Sequence, residues 1–380
     1  MALHTLMRAV ACLVLLVAVT LIADGQDVAQ KRSERMGTGM NLSYLDNWWF
    51  GTKEKHFSDF AKPDEAAKRE KMFADIAKAG FKTVRIPICF SAWMELKQPY
   101  NWDNERGLQM ADSFIKWGLA QGLNVIIDLH HSEFDGSIPD AGSAERVVNL
   151  WQKIAERYKK TDPEKVFFEL RNEPHDMTAE GWRWQANEII KVIRRVAPNH
   201  TLIVGFHDWN GRQAMLDSKP LDDRNVIYTF HYYDPFLFTH QGATWAGPGL
   251  DVVRGVPFPG SKDIKIKTPD KTKGQWVESM INTYDNDSAP QKMFRDLSAA
   301  KDWSVRNKVP IFAGEFGSYD KYASLDDRCR HAEVIYSALA KLRIPNAWWE
   351  WDGGFNMFDP GTTKIAACMR KAIETYDQPK

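Results

Sequence analysis

The sequence predicts an α/β fold, a (β/α)8 TIM barrel built as a single domain with an enlarged loop after strand 6. Short apolar segments alternate with longer segments of helical period, which indicates a parallel sheet. Eight repeats can be counted, the number that closes such a sheet into a barrel. Polar side chains recur where the apolar segments end. An open doubly wound sheet is the alternative, but no glycine-rich dinucleotide loop follows an early strand.

The individual elements follow from these patterns. Apolar segments typical of buried parallel strands cover residues 37–42, 83–87, 124–130, 166–170, 201–205, 226–231, 310–314 and 347–351. Amphipathic segments predict helices over residues 66–78, 103–120, 147–158, 181–196, 324–342 and 364–375. Gly80 is expected to end the first of these helices, and Ser324 is expected to cap a late one.

The longest interval between expected strands lies between the sixth and the seventh. Its excess falls in residues 232–288, which hold several aromatic residues and a basic stretch. A loop of this length in a compact domain is usually functional or disordered. We expect its first half to form a cleft wall and residues 262–274 to be a mobile surface loop with solvated charges.

Composition excludes some classes of partner. The 380 residues include 50 basic and 50 acidic side chains, so net charge does not favour nucleic acid or an anionic membrane. The 15 tryptophans suit either packing or the faces of sugar rings and therefore favour a carbohydrate.

The N-terminus has the pattern of a secretion signal. Arg8 precedes an apolar run over residues 10–22, and small residues follow at 23–25. We expect residues 1–25 to be a signal peptide, 26–36 a flexible segment and 37–380 the (β/α)8 catalytic domain. An uncleaved anchor is the alternative, although the run is short for a membrane span. The mature chain is then expected to be secreted or periplasmic, without a membrane span, and a monomer.

The cysteines leave one question open. Cys12 lies in the signal run, and Cys89 is expected to be a small buried hydrophobic residue. Cys329 and Cys368 lie on two late helices and could form a bridge, but spacing does not decide it.

Two expected strand ends carry glutamate. Asn172 and Glu173 follow the fourth strand, which Pro174 ends because it has no N–H to donate. Glu315 follows the seventh strand. Barrels keep their chemistry at this face. Two glutamates facing one cleft indicate acid, base or nucleophile chemistry on a sugar bond; the alternative is that both pair with barrel arginines.

The ordered set of strand-end residues resembles glycoside hydrolase family 5, in its endoglucanase branch, over residues 37–359. The set consists of Arg85, His130, Asn172-Glu173, His231-x-Tyr233, Glu315 and Trp349. Residues 231–245 and 349–355 resemble cellulase segments closely. One stretch departs from the family: Ser43 and Tyr44 replace a glycine and an asparagine, so the resemblance does not carry the family's sugar contacts over to the first loop.

The resemblance implies roles for the two glutamates. It implies that Glu173 is the acid/base and Glu315 the nucleophile, with carboxyl groups about 5 to 5.5 Å apart and retention of configuration. The two need unequal proton affinities, which neighbouring groups can supply. Arg85 is expected to hold Glu315 ionised.

Further residues are expected around them. By the same resemblance, Tyr233 donates to Glu315, His231 lies by Glu173, and Asn172 bonds the sugar 2-OH. His130 is expected to bond the sugar, and His131 to help or to orient its loop. Adjacent residues on a strand point to opposite faces, so His130 and His131 do not readily share a metal ion. No metal or other cofactor is expected, with a metal-dependent barrel hydrolase as the rival class.

Aromatic and acidic residues complete the expected site. Trp349 is expected to stack on the sugar beside the cleaved bond, with Trp348 in the helix layer by strand alternation. Glu350 either bonds sugar hydroxyls or forms a salt bridge in the helix layer. Trp245 either lines the cleft or anchors its loop.

The sequence therefore predicts a retaining endo-β-1,4-glucanase whose partner is a β-linked polysaccharide or oligosaccharide. The same mechanism on mannan, xyloglucan or mixed-linkage glucan is the nearest alternative. A catalytically silent carbohydrate-binding barrel is an alternative of another class.

Overall fold

A closed parallel barrel forms the centre of the molecule, described here from a computed structural model. The structure describes residues 27–46, 62–130, 143–263, 266 and 269–377. Its strands pair in sequence order, and the last pairs with the first. They are β1 (Thr38–Asn41), β2 (Thr83–Ile88), β3 (Asn124–Leu129), β4 (Val166–Glu169), β5 (Thr201–Val204), β6 (Val226–His231), β7 (Ile311–Phe316) and β8 (Asn346–Trp348). This confirms the predicted (β/α)8 fold.

Helices surround the barrel. In chain order they are α1 (residues 27–34), α2 (Pro63–Lys78), α3 (Glu105–Ala120), α4 (Ala144–Tyr158), α5 (Ala179–Val196), α6 (Arg212–Asp217), α7 (Phe236–Thr239), α8 (Trp276–Asp287), α9 (Pro290–Asn307), α10 (Leu325–Leu342) and α11 (Ala367–Asp377). Hydroxyl or amide oxygens of side chains accept hydrogen bonds from the first free N–H groups of several helices. Ser324 caps α10 in this way, as predicted.

Every strand is buried along its whole length, which explains its near-continuous apolar sequence. Side chains that point outward pack against the helices in one large cluster. Side chains that point inward fill the lower barrel, and this second cluster consists of Ala29, Met36, Ile126, Phe167, Ile203, Ile227, Phe312 and Ala347. Polar residues lie above this plug, at the carboxyl ends of the strands.

The N-terminal segment differs from its prediction. Residues 26–36 were expected to be flexible, yet residues 27–34 are helical. Ala29 and Met36 are buried against the lower end of the barrel. The Arg32 guanidinium donates to Asn199 O at 2.7 Å, to Thr201 Oγ1 at 2.8 Å and to Glu164 Oε1 at 3.0 Å. The polar sequence of this segment did not predict an ordered helix. Hydrogen bonds from one long side chain, Arg32, hold the segment in place, and sequence alone does not show such contacts.

The interval between β6 and β7 is enlarged, as predicted, but it is not a bare loop. Its described residues form α7, α8, α9 and two short 3-10 turns. Of the basic stretch expected to be mobile, residues 264, 265, 267 and 268 lie outside the described part. Within it, Asp270–Thr272 form a 3-10 turn, and Lys271 pairs with Asp251 at 2.5 Å.

Two other expectations concern the ends of the chain. The proposed signal, residues 1–25, lies outside the described residues. No helix in the described ranges is both long and apolar enough to cross a bilayer. Cys329 and Cys368 form a disulfide that joins α10 to α11, and Cys89 is a buried free thiol.

We expect Arg32→Ala to lower the free energy of unfolding by about 1.5–3 kcal/mol, because it leaves buried acceptors at the lower end of the barrel without their donor. Urea unfolding followed by circular dichroism measures this. Arg35→Ala is the matched control: Arg35 pairs with the same Glu164 but is half exposed, so its loss should cost under about 1 kcal/mol. Equal effects of the two changes would contradict the assignment.

Candidate active site

A cleft of about 500 Å³ opens at the carboxyl ends of the strands. It contains most of the residues that the sequence predicted for the site, while Arg85 and His231 lie at its floor. The lining consists of Asp46, His130, Asn172, Glu173, Tyr233, His240, Thr244, Trp245, Glu315, Tyr319, Trp349, Glu350, Gly354 and Phe355.

Arg85 is fully buried below the cleft and contacts three carboxylates. Its Nη1 is 2.7 Å from Glu315 Oε1. Its Nε donates to Glu169 Oε2 at 2.7 Å and its Nη2 to Glu169 Oε1 at 2.9 Å. Nη2 is also 2.9 Å from Asp128 Oδ2. Asn41 and Asn172 accept from the same guanidinium at 3.0 and 2.9 Å. A rigid planar donor of this kind fixes the direction of every acceptor around it.

Glu315 sits near the end of β7, almost wholly buried. Burial raises its pKa to about 7; interactions with His231 and Arg85 oppose the shift, and the charges of Glu173 and Asp128 add to it. The expectation that Arg85 holds Glu315 ionised is therefore met only in part, because one cation serves three buried carboxylates. Tyr233 donates its hydroxyl to Glu315 Oε2 at 3.0 Å, and burial first of all raises the pKa of Tyr233, which keeps its proton.

Glu173 follows β4 with a φ of 41° and keeps 29 % of its side chain exposed to the cleft. The Nδ1 atom of His231, from the end of β6, lies 2.7 Å from Glu173 Oε1 and 3.5 Å from Glu315 Oε2. One carboxylate oxygen from each glutamate and one ring nitrogen of His231 all lie within 4.8 Å of one another. The two carboxyl groups thus face one small volume, with His231 between them.

This cluster is close enough to surround a cation, but its atoms are already engaged. Both oxygens of Glu315 accept from other groups, one from Arg85 and one from Tyr233. Glu173 Oε1 is engaged by His231. Burial also lowers the pKa of His231, so the ring is neutral and acts as a hydrogen-bonding group. The three side chains are satisfied as a hydrogen-bonded set.

Beside Glu173, Asn172 and His130 form a second polar group. Asn172 Nδ2 lies 3.4 Å from His130 Nε2. His130 Nδ1 lies 2.6 Å from Asp128 Oδ2, and its ring stacks on Trp349 with centroids 5.4 Å apart. These contacts hold His130 and Trp349 at the cleft surface. His131 falls outside the described residues.

Glu350 lies in the cleft wall, and among the described residues it forms no salt bridge in the helix layer. Ser43 donates its hydroxyl to Glu350 Oε2. Burial raises the pKa of Glu350 to about 8; Ser43 opposes this, whereas the charges of Asp352, Asp46 and Glu315 add to it. The first loop therefore reaches the site after all, through Ser43, which the departure from the family pattern had left without a role.

The tryptophans divide as strand alternation predicted. Trp348 is fully buried against Phe316 and Tyr336, on the helix side. Trp349 faces the cleft. Trp245 is 60 % exposed, touches Tyr319 edge-on at 5.0 Å and lines the cleft, so it is a wall residue rather than a buried anchor.

Sequence reasoning missed several contributors. Asp128 and Glu169 were visible as acidic residues inside otherwise apolar strands, a pattern that buried charges seldom adopt without partners. Trp209 and His175 stack at 5.2 Å beside Glu173, joined by the Trp209 N–H to Pro174 O bond of 3.2 Å. Nothing in the local sequence signals that pairing, since it joins two different loops.

Comparison with known proteins agrees with this architecture. The family model for cellulase, glycosyl hydrolase family 5, matches residues 36–354. Endoglucanase C of Acetivibrio thermocellus is 28% identical over 323 residues, which cover 82% of this chain and 90% of that protein. Endoglucanase 3 of Fibrobacter succinogenes is 25% identical over 90% of this chain, but the chain spans only 53% of that longer protein.

Solved structures extend the likeness to three dimensions. The Thermotoga maritima Cel5A structure in complex with cellobiose superposes with a TM-score of 0.72 and 31% identity, covering 90% of this chain and 99% of that one. The same enzyme has been solved with mannotriose, at the same score and identity. Because the family match spans every strand of the barrel, we conclude that this chain belongs to glycosyl hydrolase family 5 and is a glycoside hydrolase.

Proposed function

We propose that this protein is a retaining endo-β-1,4-glucanase that hydrolyses internal bonds by double displacement, with Glu173 as acid/base and Glu315 as nucleophile. The observation that carries the proposal is that one oxygen of Glu173 and one oxygen of Glu315 lie within 4.8 Å of each other, a close approach that favours the shorter, retaining separation of the two carboxyl groups. Inverting enzymes keep their carboxyl groups about 6.5 to 9.5 Å apart to admit a water molecule, whereas retaining enzymes need about 5 to 5.5 Å.

The two environments suit two roles. Glu315 is buried and held from two sides by Arg85 and Tyr233, so its direction of attack is fixed. Glu173 is the more exposed carboxyl group and can reach both a leaving group and, later, water. In the first step Glu315 bonds to the anomeric carbon as the glycosidic bond breaks, and Glu173 gives its proton to the leaving oxygen. In the second, Glu173 takes a proton from water, and the water oxygen displaces Glu315.

The remaining residues fit a chain of sugar rings. Trp349 offers an aromatic face beside the two glutamates, and His130, Asn172 and Glu350 offer polar groups around it. The stacked pair of Trp209 and His175 lies outside the lining of the cleft, next to the backbone of Glu173, and we propose it as a second face for the leaving group. Trp245 continues the opposite wall.

The substrate is proposed as a β-1,4-glucan because the named relatives are endoglucanases. Mannan is the second candidate, because a related structure carries mannotriose. A silent binding barrel is disfavoured since both carboxyl groups and their supports are in place. Residues 1–25 support export from the cytoplasm, to a secreted or periplasmic location.

Assays of the chain on carboxymethylcellulose, mixed-linkage glucan, xyloglucan and mannan test the substrate. We expect the highest kcat/KM on a β-1,4-glucan, with internal cleavage and β-configured product at early times by proton NMR. Activity should survive a chelator. Initial α product would rule out retention, loss of activity in chelator would favour the metal-dependent class, and no turnover on any glycan would favour the silent barrel.

Glu315→Ala should reduce turnover at least about a thousandfold, because it removes the proposed nucleophile. Azide should restore part of it, giving a glycosyl azide of inverted configuration. Glu333→Ala, an exposed change on α10, is the control and should keep full activity. A correctly folded Glu315→Ala protein that azide does not rescue would contradict the nucleophile assignment.

Asp128→Asn should move the acidic limb of the kcat/KM profile to lower pH by about half to one unit. Asn keeps an acceptor for Arg85 but removes one of the charges that raise the pKa of Glu315. Glu315 attacks when ionised, so activity appears as pH rises through its pKa, and a lower pKa extends activity into acid. Asp302→Asn, exposed on α9, is the control. A limb that stays or moves upward would contradict the charge sharing.

A further inference from the structure

The buried amide of Asn210 contacts the His231 ring on the side away from Glu173. Asn210 is wholly buried, and its Nδ2 lies 3.4 Å from His231 Nε2. The other ring nitrogen, Nδ1, lies 2.7 Å from Glu173 Oε1. His231 therefore forms a bridge between this amide and the proposed acid/base.

The orientation of the amide follows from its other bond. The backbone N–H of Phe206 lies 3.0 Å from Asn210 Oδ1. A backbone N–H can only donate, and within a carboxamide only the oxygen can accept, so Nδ2 must be the atom that faces His231. The backbone N–H of His231 also donates to the backbone carbonyl oxygen of Asn210 at 2.9 Å.

The local backbone is organised to hold the amide there. Asp208, Trp209 and Asn210 have φ values of 61°, 53° and 54°, three consecutive non-glycine residues in the left-handed region. A Cβ on Gly205 would lie 1.9 Å from Asn210 Oδ1, so this close approach requires glycine. Unfavourable backbone conformations of this kind persist where the surroundings hold them, often at functional sites.

The amide decides which nitrogen of the neutral ring carries hydrogen. Nδ2 of Asn210 donates, so His231 Nε2 must accept and has no hydrogen of its own. The ring hydrogen is then on Nδ1, which donates it to Glu173 Oε1. The charged groups around the ring are Glu173, Glu315, Glu169 and Arg85, and burial keeps the ring neutral among them by lowering its pKa.

We propose that Asn210 is a positioning residue: it fixes the Nδ1–H tautomer of His231, and this tautomer keeps the acid proton of Glu173 on Oε2. Since Oε1 already accepts from Nδ1–H, the carboxylic proton occupies Oε2, the oxygen that His231 does not contact, and passes from there to the leaving group. The reverse tautomer would accept from Glu173 and hold that proton on Oε1. The inference rests on the proposed acid/base role of Glu173.

Asn210→Asp separates this role from packing. The new side chain has the same shape and still accepts from Phe206, but it turns an acceptor toward Nε2 and so favours hydrogen there. The loss of kcat/KM should be larger for a substrate whose leaving group needs a proton from Glu173 than for one whose leaving group departs without a proton. We expect kcat/KM to fall about tenfold or more on a cello-oligosaccharide, and under about threefold on 2,4-dinitrophenyl β-cellobioside, whose phenolate leaves without a proton.

The control is Asn149→Asp on α4, where the amide donates to Glu145 O; this change should alter kcat/KM on neither substrate. Thermal unfolding establishes that each variant is folded. Equal losses by Asn210→Asp on the two substrates would overturn the proposal, because a general packing defect does not distinguish leaving groups.

A second measurement does not depend on turnover. Ring 15N spectra of the parent protein, with the His231 signal identified by its loss in His231→Gln, report which nitrogen carries hydrogen. We expect a bare Nε2 in the parent and a protonated Nε2 in Asn210→Asp. A protonated Nε2 in the parent would overturn the proposal even if the protein hydrolyses glucan, and a bare Nε2 would support it even if the substrate proposal fails.

Discussion

The site depends on one buried ion cluster, in which Arg85 holds Glu169, Asp128 and Glu315 above the apolar plug of the barrel. A guanidinium removed from water is costly unless its donors are filled, and three carboxylates that share one low-dielectric space are costly unless a cation lies among them. Each side therefore requires the other. The outcome is a rigid floor that presents Glu315 in a single direction.

This sharing also sets the proton affinities. With one positive charge for three negative ones, burial dominates at Glu315, and its pKa rises instead of falling. A dedicated arginine would have done the opposite. The same crowding of acidic groups recurs at Glu350, whose carboxyl is supported by Ser43. Burial in this acidic cleft thus raises the pKa values of Glu315 and Glu350, and both carboxyl groups hold their protons more tightly than exposed ones would.

Neutral hydrogen-bonding groups then direct those protons. Tyr233 keeps its hydrogen and donates to Glu315, while His231 lies between the two glutamates. Behind His231, Asn210 adds an amide whose direction is set by the backbone of Phe206. Ion pairs fix the position of the nucleophile, and a chain of neutral donors sets the hydrogen of the acid/base. The division is physically sensible because a further charge at that depth would need a further partner.

The sequence by itself determined the eight strands, six of the surrounding helices and the strand-end residues, because the period of apolar residues and the positions of proline and glycine are local signals. It identified Glu173 and Glu315 for the same reason, because each lies at the carboxyl end of an expected strand. Only the tertiary structure decided that Arg85 binds Asp128 and Glu169 as well as Glu315, that the helix at residues 27–34 packs against the lower end of the barrel, and that Asn210 contacts His231. These contacts join side chains far apart in the chain, and their energies depend on distance and burial, which no local pattern records.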